Sequence, residues 1–94
     1  MSEQEGNLKG RIEAILFVAG EAVSIKELTK ALQTEEKAVR AALNAIRDEY
    51  DYNQRGFLLK RFGDNVQLAT RPLYSQDVLR LLQPIQQQSL SQAA

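Results

Sequence analysis

The sequence contains no cysteine, no histidine and no tryptophan among its 94 residues. Without cysteine or histidine it has no disulfide, no zinc site built on those ligands, no cysteine nucleophile and no histidine general base. A net charge is also missing, because 12 lysines and arginines balance 12 aspartates and glutamates. A free-standing nucleic-acid-binding domain is usually basic, since neutralisation of phosphates supplies most of its affinity. The composition therefore gives no general electrostatic basis for binding DNA.

Long apolar runs are missing as well. The longest, Ala14 to Ala19 (AILFVA), is far too short to span a bilayer, and the start MSEQEGN is polar and acidic, unlike a signal peptide. The sequence has no glycine-rich phosphate loop and no nucleophile elbow. The acidic residues Asp48, Glu49 and Asp51 lack the spacing of a cation-binding loop. We therefore expect a cytoplasmic protein without a membrane span, a metal or a cofactor, and not an enzyme.

The spacing of apolar and turn-forming residues predicts helix, helix, helix, β-hairpin and helix in that order. The predicted elements are a helix Leu8–Ala19, a helix opened by Ser24, a helix capped by Thr34, strands Phe57–Phe62 and Val66–Thr70 around a turn at 63–65, and a helix opened by Pro72 and ended by Pro84. This order predicts a winged helix-turn-helix, a mainly α member of the α+β class with three helices, a hairpin wing and a C-terminal helix. Residues 1–7 are expected to be disordered, 8–83 to form the domain, and the glutamine-rich 84–94 to form a linker.

Local signals add detail to this fold. Ser24 with Glu27 fits a capping box, in which each side chain bonds the other residue's backbone N–H. Two further sets of residues are expected to pack inward, namely Val39, Leu43, Ile46 and Tyr50 of the third helix, and Leu73, Val78, Leu81 and Leu82 of the last.

The third helix occupies the position that reads DNA in many helix-turn-helix proteins. From Thr34 to Tyr50 it holds three bases and four acids, and Glu35 and Glu36 lie at the end that would approach the phosphates. We therefore favour a packing role and keep a DNA-binding transcriptional regulator as the alternative. Around the hairpin, four bases are candidates for a weak phosphate contact, although a solvated strand face is the favoured interpretation: Arg55, Lys60, Arg61 and Arg71.

The first helix is apolar on more than one side. Phe17 projects nearly opposite the stripe formed by Leu8, Ile12 and Ile15, when each residue is rotated by 100°. A small domain covers one face of a helix, so this second face predicts a protein interface, most simply a symmetric homodimer. The competing interpretation is that the wing or the last helix folds over it. The candidate interface residues are Ala14, Phe17, Val18, Phe57 and Leu59.

Four segments resemble the start of the segregation and condensation protein B family. They are IEAILFVAGEAVSIKEL (12–28), QLATRPLY (67–74), LLQP (81–84) and LSQAA (90–94), which occur in order along nearly the whole chain. Winged-helix regulators in general share the architecture but not these segments.

The resemblance implies a non-enzymatic subunit of the bacterial SMC condensin. Members of this family carry two successive winged-helix domains, form homodimers largely through the first, and bind the kleisin subunit, segregation and condensation protein A, which bridges the SMC ATPase heads. A nucleoid-associated, cytoplasmic location is implied as well. Because the sequence stops at SQAA, we expect residues 84–94 to lead toward a second domain that is absent here.

Overall fold

A computed structural model of the chain describes residues 7–82. The elements are α1 Leu8–Ala19, β1 Val23–Ser24, α2 Ile25–Leu32, α3 Glu36–Tyr52, β2 Phe57–Phe62, β3 Asn65–Thr70, a 3₁₀ turn Pro72–Tyr74 and α4 Ser75–Leu82. Their order confirms the predicted winged helix-turn-helix, with the α1 and β2 bounds as expected. The predictions for residues 1–6 and 84–94, including the end of the last helix at Pro84, lie outside the described residues.

One face of α3 forms the centre of the core. Val39, Leu43 and Ile46 are at most 1% exposed, and Tyr50 extends the same stripe at 6%. These residues are spaced three or four apart, so they share one side of the helix. Around them pack Ile12 and Leu16 of α1, Ile25, Leu28 and Leu32 of α2, Ala42 of α3, Leu59 of β2 and Val66 of β3. The predicted inward face of the third helix is confirmed.

The ends of α1 and α2 follow from single residues. Gly20 ends α1 in a left-handed conformation, φ 66°, which a residue without a Cβ adopts at little cost. The Oγ of Ser24 accepts a hydrogen bond from the N–H of Glu27 at 3.0 Å and so satisfies one free donor at the start of α2. Ser24 is thus the N-cap that the sequence predicts.

The predicted N-cap at Thr34 is wrong by one residue. The N-cap of α3 is Glu35, in an extended conformation and without a side-chain capping bond. Gln33 takes the left-handed conformation, φ 54°, and the N–H of Thr34 bonds back to the carbonyl of Thr29 at 3.3 Å. Thr34 therefore takes part in the C-terminal turn of α2, and α3 begins one residue later than the sequence predicts.

The sheet has one strand more than the predicted hairpin. Its order is β1-β3-β2, all antiparallel, with Val23 opposite Val66 and Phe57 opposite Thr70. β1 is only two residues long, so it has no periodicity that a sequence pattern could detect. Its pairing fixes the start of α2 against the wing.

The last helix differs most from the prediction. The segment begins as a 3₁₀ turn and becomes α-helical only at Ser75. The expected inward packing of Leu73, Leu81 and Leu82 is wrong, because these side chains are 72%, 75% and 70% exposed, and Val78 is only half-buried. α4 packs mainly against the turn that precedes it, so no part of its apolar face reaches the core.

The two helix starts give a matched test of capping. We expect Ser24→Ala to lower the free energy of unfolding by about 1 kcal/mol, because it removes the side-chain bond to the N–H of Glu27 at the start of α2. Thr34→Ala should change it by no more than about 0.5 kcal/mol, since Thr34 caps no helix. Urea denaturation of both variants measures the difference, and equal losses would contradict this assignment of the caps.

Candidate protein-interaction surface

A groove runs between α1, the C-terminal end of α3 and the base of the wing. It encloses about 660 Å³. We call this surface the α1 groove, and it is lined by Gly10, Glu13, Ala14, Phe17, Glu49, Tyr50, Arg55, Gly56, Phe57 and Leu68. The groove forms because α1 and the start of β2 extend past the edge of the core.

The α1 groove brings three of the predicted interface residues together. Ala14, Phe17 and Phe57 all line it, and Phe17 is 71% exposed. Val18, at 83% exposed, lies beside them in a shallow apolar depression with Ala14, Ile15 and Ala19. Within residues 7–82 the wing borders Phe17 without covering it, and α4 does not cover it either. The apolar second face of α1 is therefore open surface.

Leu59 does not belong to this surface. It is 7% exposed and packs in the core, where it pairs across the sheet with Leu68. Phe57 and Leu59 share one face of β2, as alternation requires, but Phe57 lies at the strand end, beyond the edge of the core. Alternation places both residues on one face, so only their positions along β2 distinguish the exposed Phe57 from the buried Leu59.

A tyrosine and a carboxylate form one wall of the α1 groove. The Tyr50 hydroxyl donates a hydrogen bond to Oε2 of Glu13, and the Tyr50 ring centroid lies 6.4 Å from that of Phe57. Burial, followed by the hydrogen bond to Glu13, raises the pKa of Tyr50 above its ordinary value of 10.0. The phenol therefore stays neutral and links α3 to α1 at the groove.

The raised pKa of Tyr50 makes the free energy of unfolding depend on pH under alkaline conditions. Above about pH 10 the unfolded chain releases the Tyr50 proton while the folded chain retains it, so the free energy of unfolding falls as pH rises. We expect Tyr50→Phe to remove part of that fall, up to about 1.4 kcal/mol per pH unit. Denaturant unfolding between pH 9 and about 11 measures the slope. Tyr52→Phe, at a ring that is 87% exposed on the same helix, should keep the wild-type slope, and an unchanged slope in both variants would contradict the account.

Arg71, one of the four candidate phosphate contacts, is occupied inside the fold. Its guanidinium donates hydrogen bonds to the carbonyl oxygens of Tyr50 and Arg55 and to Oδ1 of Asp51, and its side chain is only 16% exposed. Its own N–H bonds the carbonyl of Gly56 at 2.9 Å. A guanidinium is suited to free carbonyls at a helix C-terminus, because it offers several donors and a positive charge. Arg71 thus ties the end of α3 to the end of the wing.

Two other wing bases also have contacts within the domain. Arg61 donates to the side-chain oxygen of Asn44 at 2.8 Å, and the Lys60 ammonium lies 5.6 Å from the centre of the Phe62 ring. Arg55 is exposed and lines the α1 groove. A phosphate contact by the wing remains a prediction, with Arg71 already engaged elsewhere.

Two of the three bases of α3 are paired with acids of the same domain. Arg40 lies 2.8 Å from Glu36 and 3.3 Å from Asp64, and Arg47 lies 3.1 Å from Asp48. Exposed pairs of this kind add little stability, but they cancel positive charge that a groove-reading helix would present. Nucleic acid is therefore a poor electrostatic match for α3.

The described part of the chain holds neither a membrane-spanning helix nor a cluster of metal ligands. Across residues 7–82, no helix has both the length and the apolar composition to cross a membrane. Over the same range, no group of three or more histidine, cysteine, aspartate or glutamate side chains is placed to hold a metal ion. The α1 groove is the candidate site because it holds the predicted interface residues Ala14, Phe17 and Phe57.

Proteins of related sequence point to the same family. "Segregation and condensation protein B" of Caldanaerobacter subterraneus subsp. tengcongensis is 43% identical over 86 residues, which are 92% of this chain and 51% of the relative. The protein of the same name from Alkaliphilus oremlandii is 34% identical over 87 residues, 93% of this chain and 47% of the relative. The chain spans about half the length of the curated relatives it matches.

Solved structures agree with these sequences. A crystallised dimer of the ScpB N-terminal domain in complex with an ScpA peptide superposes with a TM-score of 0.72 at 26% identity, over 78% of this chain and 91% of that one. ScpB from Mycobacterium tuberculosis gives 0.77 at 27% identity, over 82% of this chain and 48% of that one. The family model of the segregation and condensation complex subunit ScpB matches residues 10–94. The chain belongs to the ScpB family.

Proposed function

We propose that this chain is a structural, non-enzymatic part of the bacterial SMC condensin, acting in the cytoplasm at the nucleoid. It forms a homodimer and connects to SMC through the kleisin subunit ScpA, in chromosome condensation and segregation. The observation that carries the proposal is the open α1 groove, an apolar surface on a chain of the ScpB family. The related N-terminal domain that crystallised as a dimer with an ScpA peptide supports both kinds of contact.

Burial of the exposed side chains of the α1 groove supplies a substantial free energy of binding. Burying a phenylalanine side chain stabilises a complex by roughly 1.5–3 kcal/mol, and Phe17 leaves most of its surface unburied. In a two-fold dimer every such contact occurs twice. Phe17 with Phe57 therefore supplies a central apolar anchor of the kind that dominates binding energy at interfaces.

A DNA-binding regulator is the second candidate, since the winged-helix fold often serves that function. The ion pairs of α3 and the internal bonds of Arg71 weigh against it. The proposal therefore gives α3 a scaffolding role.

We expect Phe17→Glu to shift the chain from dimer to monomer while leaving it folded. Phe17 is exposed, so the charge costs the monomer little, whereas burying a carboxylate in the interface is strongly unfavourable. Sedimentation velocity beside the wild type measures the shift, and far-UV circular dichroism checks the fold.

Tyr52→Glu is the matched control, because Tyr52 is an exposed aromatic residue that does not line the α1 groove. It should sediment like the wild type. If the two variants behave alike, the groove is not the dimer interface.

The regulator alternative is tested by duplex DNA in a gel shift. At physiological salt we expect binding no tighter than the weak non-specific range, roughly 10⁻⁴ to 10⁻⁶ M, and no change on the double substitution Arg40→Ala, Arg47→Ala. Nanomolar binding that is lost in this double variant would favour the regulator instead.

A further inference from the structure

Within residues 7–82, the C-terminal helix α4 is an amphipathic helix whose leucines no other element covers. Asp77 and Arg80 pair at 2.6 Å on one side. At 100° per residue the opposite side carries Val78, Leu79 and Leu82, whereas Leu81 lies on the flank next to Asp77. The three leucines are 50–75% exposed, and no residue of α4 is buried. An isolated helix of eight residues is marginal in water, so α4 needs a surface to cover its apolar side.

The same chain exposes a second uncovered apolar surface, the α1 groove. In the described residues α4 lies against the 3₁₀ turn. The three leucines of α4 and the Phe17 side chain of the groove therefore stay exposed to solvent. We propose that α4 of one copy lies in the α1 groove of the other copy, so that two chains exchange helices around a two-fold axis. This inference rests on the proposed homodimer and names the partner element that completes its interface.

The exposed area favours this exchange over direct packing of α1 on α1. A stable interface buries about 800 Å² per partner. The side chains of Phe17, Val18 and Phe57 each offer on the order of 100 Å², which together is less than half of that. Leu79 and Leu82 of α4, with Leu73 of the preceding turn, raise the total to roughly three quarters of it.

The charged side of α4 stays outside this contact. Asp77 and Arg80 lie on the side of the helix opposite Leu79 and Leu82 and pair with each other at 2.6 Å. They therefore remain in solvent when the leucines enter the α1 groove, so the exchange buries no charge.

The absence of cysteine allows a clean cross-linking test. A tagged Ala14→Cys chain is mixed with an untagged Leu79→Cys chain and treated with a short bismaleimide. The exchange predicts a mixed dimer that forms at least about tenfold faster than with Ala41→Cys, an exposed position on α3 outside the groove, because the held contact raises the effective concentration. A variant carrying both Ala14→Cys and Leu79→Cys tests for a contact within one chain.

Sedimentation of the same mixtures separates the outcomes. A persisting dimer in which Leu79→Cys reacts no faster than Ala41→Cys overturns the exchange but keeps the proposed dimer. A cross-link within single doubly substituted chains, at a rate independent of concentration, also overturns it, because α4 then covers its own groove. A chain that is monomeric throughout contradicts both the exchange and the dimer.

A double substitution supplies an independent measurement. Leu79→Glu with Leu82→Glu should weaken dimerisation more than tenfold, since each buried leucine lost is worth roughly one factor of ten or more. Both side chains are exposed in the single chain, so the circular dichroism of the monomer should stay unchanged. Dimerisation as strong as that of the wild type would overturn the proposal.

Discussion

The small size of the hydrophobic core is the constraint on which the rest of this structure depends. Twelve residues of the described chain are buried, and nine large hydrophobic side chains remain exposed. A domain of this size buries only about 60% of the surface of its unfolded chain, so the free energy of unfolding of the single chain is small. Seven of these nine lie in or beside the α1 groove or along the C-terminal segment 73–82, and Tyr52 and Phe62 lie elsewhere. Grouped apolar surface of this kind marks an interface.

The helix-turn-helix motif therefore serves as a scaffold. α3 turns its buried stripe toward three elements at once, and its charged face is neutralised by its own acids. Arg71, in the segment QLATRPLY that carries the family resemblance, holds the end of α3 to the base of the wing. This clamp places Phe57 beside Tyr50 and so forms one side of the α1 groove. A residue that resembles a phosphate contact in the sequence thus has a structural role.

Most of the fold follows from local sequence patterns, whereas the surfaces do not. Periodicity predicted α1, the face of α3 and β2, because each is decided by neighbours within a few residues. The strand β1 and the one-residue shift at Thr34 depend on contacts that a local pattern does not contain. The leucines of α4 show the limit most clearly. Their spacing predicted an apolar face, but a local pattern does not show which other element, in the same chain or in a second copy, covers that face. Exposure of Phe17 was predictable only because α1 is apolar on two sides.

We propose that a second copy of the chain covers the apolar surface of the first. Sedimentation equilibrium of the wild type over a dilution series tests this arrangement most directly. At concentrations on the order of 10 µM we expect twice the chain mass of 10.6 kDa, falling toward the single-chain mass on dilution. A mass that stays at 10.6 kDa up to millimolar concentration would contradict it.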